Sequence, residues 1–457
     1  MSSRNPLDAA RRAAYRALRA VTADGAYANL ALADALSRDG LTGRDAAFAT
    51  ELVSGACRWQ GTWDRLIEVA GNRAISTLQP AVVDVLRLGA HQLFAMRVPS
   101  HAAVALSVEL GRAVIGERVT GVVNAIMRRL AARDLDDWLD RVTTGLDARD
   151  ALAVRTAHPR WIVDAIADVL PDDELIEVLT ADNAPAAPTL AVRPGLLTRD
   201  ALLAEDGGES TRFSPWGVRR PGDPGDVAAI RDGRAGVQDE GSQLVCLAAV
   251  RALDAVAGGT WLDLCAGPGG KAALLRGLAG ERGTHLVAAE VQPHRVQLVR
   301  QALRAYPEDG HEVVCADGRD GPWRPGAFDL VVADVPCSGL GALRRRPEAR
   351  WRRTPQDVAD LVPLQRDLLA AALAAARPGG LVAYITCSPH AAETTGVVLP
   401  VARDAGAAIL DAPSFLPEVP DAAARSDPRF VQLWPHRHGT DAMFLALLRP
   451  VSALCVH

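Results

Sequence analysis

From about Ala235 onward, short apolar runs of β character alternate with helical runs, and no other feature of the 457-residue chain constrains its fold as much. The β runs cover residues 260–264, 285–290, 312–317, 329–335, 380–386 and 443–448. Helical stretches at 293–304 and 355–377 separate some of them, the second with Thr354 as its expected N-cap and Pro355 at its first position. Strands that alternate with helices predict a parallel sheet covered on both faces. Ligands of such sheets bind beyond the carboxyl ends of the strands, so the chemistry is expected there.

The chain ahead of this region has a different character. Residues 8–135 read as helix after helix, alanine- and leucine-rich, with breaks at Asp24-Gly25, Asp39-Gly40, Gly71-Asn72 and Val98-Pro99-Ser100. Residues 141–234 are less regular: a helix at 158–170, a short strand at 188–192 and a turn cluster at Pro221-Gly222-Asp223-Pro224-Gly225. The expected organisation is an all-α bundle over 1–140, a small connecting subdomain over 141–234, and an α/β Rossmann-like domain over 235–457.

Composition excludes several classes. With 49% hydrophobic and 23% charged residues, the chain is too apolar for disorder. It has no apolar run long enough for a membrane span, and residues 1–8 lack the apolar core of a signal peptide, so a cytoplasmic location is expected. The seven cysteines include no CxxC pair, against a disulfide framework or zinc ribbon. Of the 50 basic residues only Lys271 is lysine. The net charge of −5 does not suggest nucleic acid, but Arg344 to Arg353 holds six arginines and one glutamate.

The first β run leads into Asp263-Leu264-Cys265-Ala266-Gly267-Pro268-Gly269-Gly270-Lys271. Its glycines let backbone N–H groups approach a ligand. The loop is neither GxGxxG nor a Walker loop. Acidic residues mark the next strand ends: Glu290, suited to ribose hydroxyls, Asp317, suited to an adenine amino group, and Asp334. The set predicts a bound adenosine without polyphosphate, hence S-adenosylmethionine, with a nicotinamide dinucleotide as the runner-up.

The fourth run ends in Asp334-Val335-Pro336-Cys337-Ser338 and the fifth in Thr386-Cys387-Ser388. If those strands are adjacent and parallel, both thiols face one cleft. Methylation of cytosine at C5 needs two such thiols. A thiolate adding to C6 makes C5 enamine-like, and a base must then remove the C5 proton so that the thiolate can leave. Asp334, three residues before Cys337, is placed to meet the N3 edge of the base.

These motifs resemble the RNA cytosine-C5 methyltransferase family, in particular its bacterial 16S ribosomal RNA branch (RsmB/Sun/Fmu). The resemblance covers nearly the whole chain. It includes Val237-Gln238-Asp239-Glu240-Gly241-Ser242-Gln243 before the first strand, Arg344-Arg345-Arg346-Pro347 with Trp351 after the fourth, and Gly439-Thr440-Asp441-Ala442-Met443-Phe444 at the last. It implies that Cys387 is the nucleophile, that Cys337 releases the product, and that Cys265 to Lys271, Glu290, Asp317 and Asp334 line the S-adenosylmethionine site. The N-terminal helices resemble the NusB-like RNA-binding domain fused to this branch, at Tyr27–Leu32, Phe48–Gly55 and Val122–Arg129. Three departures stand out. Gly267 replaces the family's usual Ala, Glu290 its usual Asp, and of the Glu-Asn that often follows the second Cys-Ser only Glu393 is present.

Arg344, Arg345, Arg346, Arg350, Arg352 and Arg353 are expected to clamp RNA phosphates near the target base. No metal is expected, and His436 and His438 are read as surface loop. Trp59 and Trp63 read as core residues, and Cys57, Cys246, Cys315 and Cys455 as packing. The expectation is a monomer that methylates 16S ribosomal RNA or a small-subunit assembly intermediate. The alternatives are a tRNA cytosine methyltransferase, a non-catalytic antitermination-like RNA-binding factor and a dinucleotide oxidoreductase. Lys271 is expected to place a point charge in the active cleft.

Overall fold

Where the N-terminal sequence runs in alanine and leucine between turn residues, the computed structural model has helices: Pro6–Asp24, Ala28–Asp39, Gly43–Arg58, Gln60–Gly71, Pro80–Phe94, Ser100–Val114 and Thr120–Leu130. The structure describes residues 6–253 and 259–450. Two of the expected breaks work through a left-handed residue that closes a helix. Gly40 (φ 62°) and Asn72 (φ 51°) follow their last turns, where the final carbonyls are taken up by Gly40 and Leu41, and by Asn72 and Arg73. The apolar faces meet in one core, with Leu18, Leu52, Leu66, Leu86 and Met127 fully buried. Trp63 is buried there between Trp59 and Phe94, at ring distances of 5.5 and 5.7 Å.

This helical unit does not stop at residue 140. It takes in the chain to Ala167, Pro171–Ala184 and Leu343–Thr354, and a second unit takes in the rest. Helices Leu135–Thr143 and Ala148–Arg155, N-capped by Asp134 and Asp147, continue the first unit, as do Arg160–Ala167 and Asp172–Ala181. Leu343–Thr354 joins it through specific bonds. Arg350 is fully buried and donates to the Ala157 carbonyl (3.0 Å), the Asp182 carbonyl (3.2 Å) and Asn183 Oδ1 (2.7 Å). Trp351 Nε1 donates to the Cys57 carbonyl at 2.7 Å, and the indole lies where a Cβ on Gly61 would sit 2.2 Å from it. The division at 140 and 234 is therefore replaced by two units, because contacts distant in sequence decide it. Arg350, spent on carbonyls inside the helical unit, has no surface to offer a phosphate.

The second unit holds two sheets. A small antiparallel one has the order Glu209–Ser210, Gly217–Arg219, Thr189–Val192, Ala235–Val237. In the larger sheet we number β1 Thr260–Asp263, β2 His285–Glu290, β3 His311–Cys315, β4 Phe328–Asp334, β5 Ala376–Thr386, β6 Ala408–Ile409 and β7 Phe444–Arg449. Its order is β6-β7-β5-β4-β1-β2-β3, with Val431–Gln432 pairing beside β7. The run β5-β4-β1-β2-β3 is parallel, as the alternation predicts, whereas β7 lies antiparallel to β5. An antiparallel edge strand on a parallel sheet is a common variation. Helices Gly270–Glu281, Pro293–Leu303 and Pro355–Ala375 connect the parallel strands. Apolar clusters bury the sheet, one around Trp261, Leu286, Leu330 and Ile385, another around Leu262, Val331, Val382 and Tyr384.

Candidate active site

Backbone bonds bring the carboxyl ends of the parallel strands together. Leu264 N donates to Val332 O, Ala266 N to Ala289 O, Ala316 N to Glu290 O, and Val335 N to Ile385 O. The expected adjacency of β4 and β5 holds, with Asp334 opposite Ile385. The loops beyond them bring Cys337 Sγ and Cys387 Sγ to 3.4 Å. Gly341 passes between the two strand ends, its N–H on the Cys387 carbonyl (2.8 Å) and its carbonyl accepting from Ala442 N (2.8 Å). A Cβ there would lie 2.1 Å from the Ala442 carbonyl, so only glycine fits.

One buried carboxylate holds both thiol loops. Glu393 has no exposed surface. It accepts from Ser338 N (2.8 Å), from the Ser338 and Ser388 hydroxyls, and from Gln365 Nε2 (3.0 Å). Each serine follows a cysteine in sequence, which explains the Cys-Ser repeat. In the sequence Glu393 appears only as a remnant of a family motif. The signal that marks it out is the pair of serines in search of a common acceptor.

The thiols are electrostatically unequal. A hydrogen bond from the Cys337 thiol, helped by the charge of Lys271, lowers Cys387 below the ordinary thiol value against the opposition of burial and Asp334. The same hydrogen bond raises Cys337 well above it, reinforced by burial and by Glu393. By contrast, burial pushes Cys57 and Cys246 up to about 12. The pair therefore shares its titration unequally, with Cys387 the thiol that ionises more readily.

Lys271 sits in the first turn of its helix, and its ammonium bonds Asp334 Oδ2 at 2.8 Å. Burial favours the neutral amine, but Asp334 outweighs it and the lysine pKa is raised. The point charge expected of Lys271 is therefore spent first on Asp334, with Cys246 and then Cys387 in its field.

On the cofactor side the loop is tightly folded. Gly269 has φ 113°, and a Cβ on it would lie 2.5 Å from Ala302 Cβ. Glu290 is buried, accepts from Gln292 N (2.9 Å) and pairs with Arg295 at 3.3 Å. Asp317 lies at the next strand end with its carboxylate held by Arg319 N and the Arg319 guanidinium. Asp263 is fully buried with both oxygens unpartnered among the described residues. Burial, then the charge of Asp334, pushes its pKa up to about 7. A buried carboxylate in the field of Asp334 and Glu290, which Lys271 offsets only in part, suits a ligand bearing positive charge, which fits the sulfonium and ammonium of S-adenosylmethionine.

The remaining expectations divide. Cys57 and Cys246 are packing residues as expected, but Cys315 is exposed, and Cys455 lies outside the described residues. His438 is buried rather than in a surface loop, its ring bonded to Trp434 N (2.8 Å) and the Pro420 carbonyl (3.0 Å). Asp239, in the motif ahead of the sheet, accepts from Gly241 N and Asp441 N, which joins that motif to the closing one. Among the described residues no helix is long and apolar enough to cross a membrane.

Comparison with known proteins gives the family. Residues 250–449 match the family model described as 16S rRNA methyltransferase RsmB/F, and residues 8–132 match the NusB family. The chain is 49% identical, over 98% of both chains, to the putative methyltransferase MT1451 of Mycobacterium tuberculosis. It is 32% identical, over 97% of this chain and 99% of the other, to ribosomal RNA small subunit methyltransferase B of Pseudomonas putida. The solved structure of PH0851 superposes with a TM-score of 0.79 over 98% of this chain and 99% of that one, at 20% identity, which shows a shared fold. The chain belongs to the 16S rRNA methyltransferase RsmB/F family, with its methyltransferase domain joined to a NusB domain.

Proposed function

We propose that the protein forms 5-methylcytosine in 16S ribosomal RNA, acting as a cytoplasmic monomer, with Cys387 as nucleophile and Cys337 as the group that permits release. The observation that carries this reading is the thiol pair, 3.4 Å apart, with Cys387 lowered and Cys337 raised relative to an ordinary thiol. S-adenosylmethionine supplies an electrophilic methyl group, and Cys265 to Lys271, Asp263, Glu290, Asp317 and Asp334 would hold it.

Cys387 forms a bond from sulfur to C6 of the cytosine, and the C5–C6 π pair shifts onto C5 and, through C4, toward N3, where the charge would build opposite the Lys271–Asp334 pair, whose ammonium supplies the compensating positive charge. C5 would then accept the methyl group that the bound cofactor supplies, the C–S bond pair returning to the cofactor's sulfur, which leaves C5 bearing both a methyl and a proton. Two thiolates at this distance resist ionising together, so Cys337 keeps its proton while Cys387 is anionic. Once Cys387 is a neutral thioether that repulsion is gone, and Cys337 can ionise and help remove the C5 proton. The C5–H electron pair re-forms the double bond, and Cys387 leaves as thiolate. The arginines Arg344, Arg345, Arg346, Arg352 and Arg353 supply positive charge for RNA phosphates, without the buried Arg350.

The test uses two variants with ribosomal RNA. Cys387→Ala abolishes turnover and leaves no covalent adduct. Cys337→Ala accumulates a denaturant-resistant protein–RNA adduct. Adduct with the first variant and none with the second overturns the assignment of roles, and 5-methylcytosine absent from wild-type product overturns the reaction.

A further inference from the structure

The sheet-bearing unit holds a cavity of about 190 Å³ that shares Pro268 and Gly270 with the cofactor loop, but neither thiol lines it and none of Glu290, Asp317 and Asp334 does. Arg193, just after the strand Thr189–Val192, forms part of its wall. This arginine is 8% exposed, and among the described residues none of its side-chain nitrogens has a hydrogen-bond or ion-pair partner. Its Nε is sealed, whereas Nη1 and Nη2 keep accessible surface. Nη2 lies beside Gly236, another wall residue, where a Cβ would be 2.9 Å from it. The forked end of the guanidinium therefore faces the cavity.

Arg350 shows how this chain treats a buried arginine with a structural task, giving it three acceptors. Arg193 has none. Burial holds its pKa below the ordinary value against the field of Tyr306, and the neighbouring Arg304 adds to the fall, with no carboxylate to offset them. A buried charge without a partner is among the most unfavourable polar defects in a fold, so it marks a place where an anion arrives from outside. The rest of the lining agrees. Leu274 and Ala302 are apolar, Gln238 is neutral, and no acid is present. Gly270 opens the 12-residue helix Gly270–Glu281, whose N-cap Gly269 supplies no side-chain bond, and the positive end of a helix favours negative charge. The cavity is smaller than the about 300 Å³ at which sites for whole small molecules begin, so it suits a single anionic group. Val237 and Pro268, also in the lining, are exposed, so that group can belong to a longer chain lying outside.

We infer that this cavity seats one backbone phosphate of the RNA, with Nη1 and Nη2 of Arg193 donating to its oxygens. The parallel N–H pair of a guanidinium matches two phosphate oxygens, which a compact ammonium cannot do. A phosphate carries no base identity, so the contact sets the register of the strand and not its sequence. Because the cavity borders the cofactor loop, the strand is held to the unit that carries the thiols. This inference rests on the reading of the chain as an RNA methyltransferase, but it concerns a phosphate contact apart from the Arg344–Arg353 cluster.

Binding of the full chain to unmodified 16S ribosomal RNA, measured across a salt series without S-adenosylmethionine, tests it. Arg193→Met removes the charge and keeps an unbranched side chain. It should weaken binding about tenfold, the usual worth of one charge-assisted bond, and flatten the slope of log affinity against log salt by about 0.7, one phosphate on a single strand. Its melting temperature without RNA should rise, because an unpaired buried charge gives way to an apolar group. Gly236→Asp keeps the guanidinium but sets a carboxylate beside it, and it should weaken binding and flatten the slope as much. A thermal melt verifies that each variant is folded, and if Arg193→Met is not, Gly236→Asp decides alone. An unchanged slope in both variants overturns the inference. So does a lower melting temperature with unchanged affinity in Arg193→Met, which would make the arginine a packing residue. Inorganic phosphate that raises the melting temperature of the wild type but not of Arg193→Met, with equal RNA affinity in both, would make this a small-anion site and overturn the RNA assignment. Calorimetric loss of S-adenosylmethionine binding in Arg193→Met would give the guanidinium to the cofactor's carboxylate and overturn it too. Methyl transfer is read separately: a flattened slope without 5-methylcytosine in the wild-type product defeats only the proposed reaction, and 5-methylcytosine with an unchanged slope defeats only the phosphate seat.

Discussion

The Lys271 ammonium lies 2.8 Å from Asp334 Oδ2, so the only lysine in the chain neutralises the carboxylate that opposes ionisation of Cys387 most. Its charge also lowers Cys387. In Lys271→Met, a cation is removed from beside a thiolate and nothing replaces it, so the Cys387 pKa rises. The rate of iodoacetamide alkylation of Cys387 should then begin its climb at a higher pH than in the wild type. Lys271→Arg keeps the charge but asks a longer, forked group to fit a site where the lysine side chain is 11% exposed. It should retain the alkylation profile and lose about tenfold or more in kcat through misplacement of Asp334. Near-normal turnover in the arginine variant would show that the site tolerates either cation.

Glu393 ties the Cys337 and Cys387 loops through Ser338 and Ser388. Glu393→Ala leaves several buried donors without an acceptor, so stability should fall by about 3 kcal/mol or more. Glu393→Gln keeps the shape but faces those donors with an amide that must itself donate. Its melting temperature should fall less, while kcat should drop on the order of a hundredfold because the two sulfurs are no longer held together. A melting temperature and kcat both unchanged in the glutamine variant would deny Glu393 its positioning role.

The site was legible in the sequence to the extent that it was built from local signals. A glycine run after an apolar strand, acids at successive strand ends and two Cys-Ser pairs each declare themselves within a few residues, and the parallel sheet brings them to one edge. Glu393 was hidden because its importance lies in what converges on it from Ser338 and Gln365, far away in the chain. Arg350 misled for the same reason. Six arginines in ten residues read as a solvated cluster, yet one of them finds carbonyls at Ala157 and Asp182 that no local pattern announces. The unit boundary failed with it, since Leu343–Thr354 interrupts the sheet-bearing sequence but belongs to the helical unit.

With Arg350 removed from the clamp, the remaining arginines make a narrower prediction. Arg345 and Arg346 are exposed and Arg353 is partly so. Each phosphate contact contributes about 0.7 to the slope of log affinity against log salt for single-stranded RNA. Replacing these three by glutamine should therefore flatten the slope by about 2. An unchanged slope would place the RNA phosphates elsewhere on the protein.

Asp263 gives the free protein a pH signature. Its folded pKa of about 7 lies above its ordinary value of 3.8. The folded state thus holds a proton that the unfolded state has released. The stability this group contributes is complete below pH 3.8 and is lost as pH rises through 7. Asp263→Asn should remove that decline, so that between pH 5 and pH 8 the variant's melting temperature falls less than the wild type's. The variant should also bind S-adenosylmethionine more weakly. Wild-type binding should strengthen as pH rises through about 7 and release a proton, seen in calorimetry as a heat that varies with the buffer's ionisation enthalpy. A buffer-independent heat at pH 6.5 would mean that Asp263 does not change its charge on binding.

Gly267 and Glu290 depart from the family pattern together, and the structure supplies the reason. A Cβ on Gly267 would lie 2.1 Å from Glu290 Oε2 and 2.9 Å from Arg295 Nε. The longer acid at 290 occupies the space that the alanine methyl would take, and Arg295 holds the arrangement by bonding the Gly267 carbonyl at 2.6 Å. Gly267→Ala should push Glu290 out of place and weaken S-adenosylmethionine binding about tenfold to a hundredfold, since a buried carboxylate cannot shift without losing its partners. Glu290→Asp alone should also weaken it, because the shorter side chain leaves a gap and draws back from the ligand. In the double variant the methyl fills that gap, so affinity should recover to within about threefold of wild type, a coupling of more than about 1 kcal/mol in a double-mutant cycle. Calorimetric titration of the four proteins decides the matter: additive losses in the double variant would mean that the two departures arose independently and that the contact between them carries no energy.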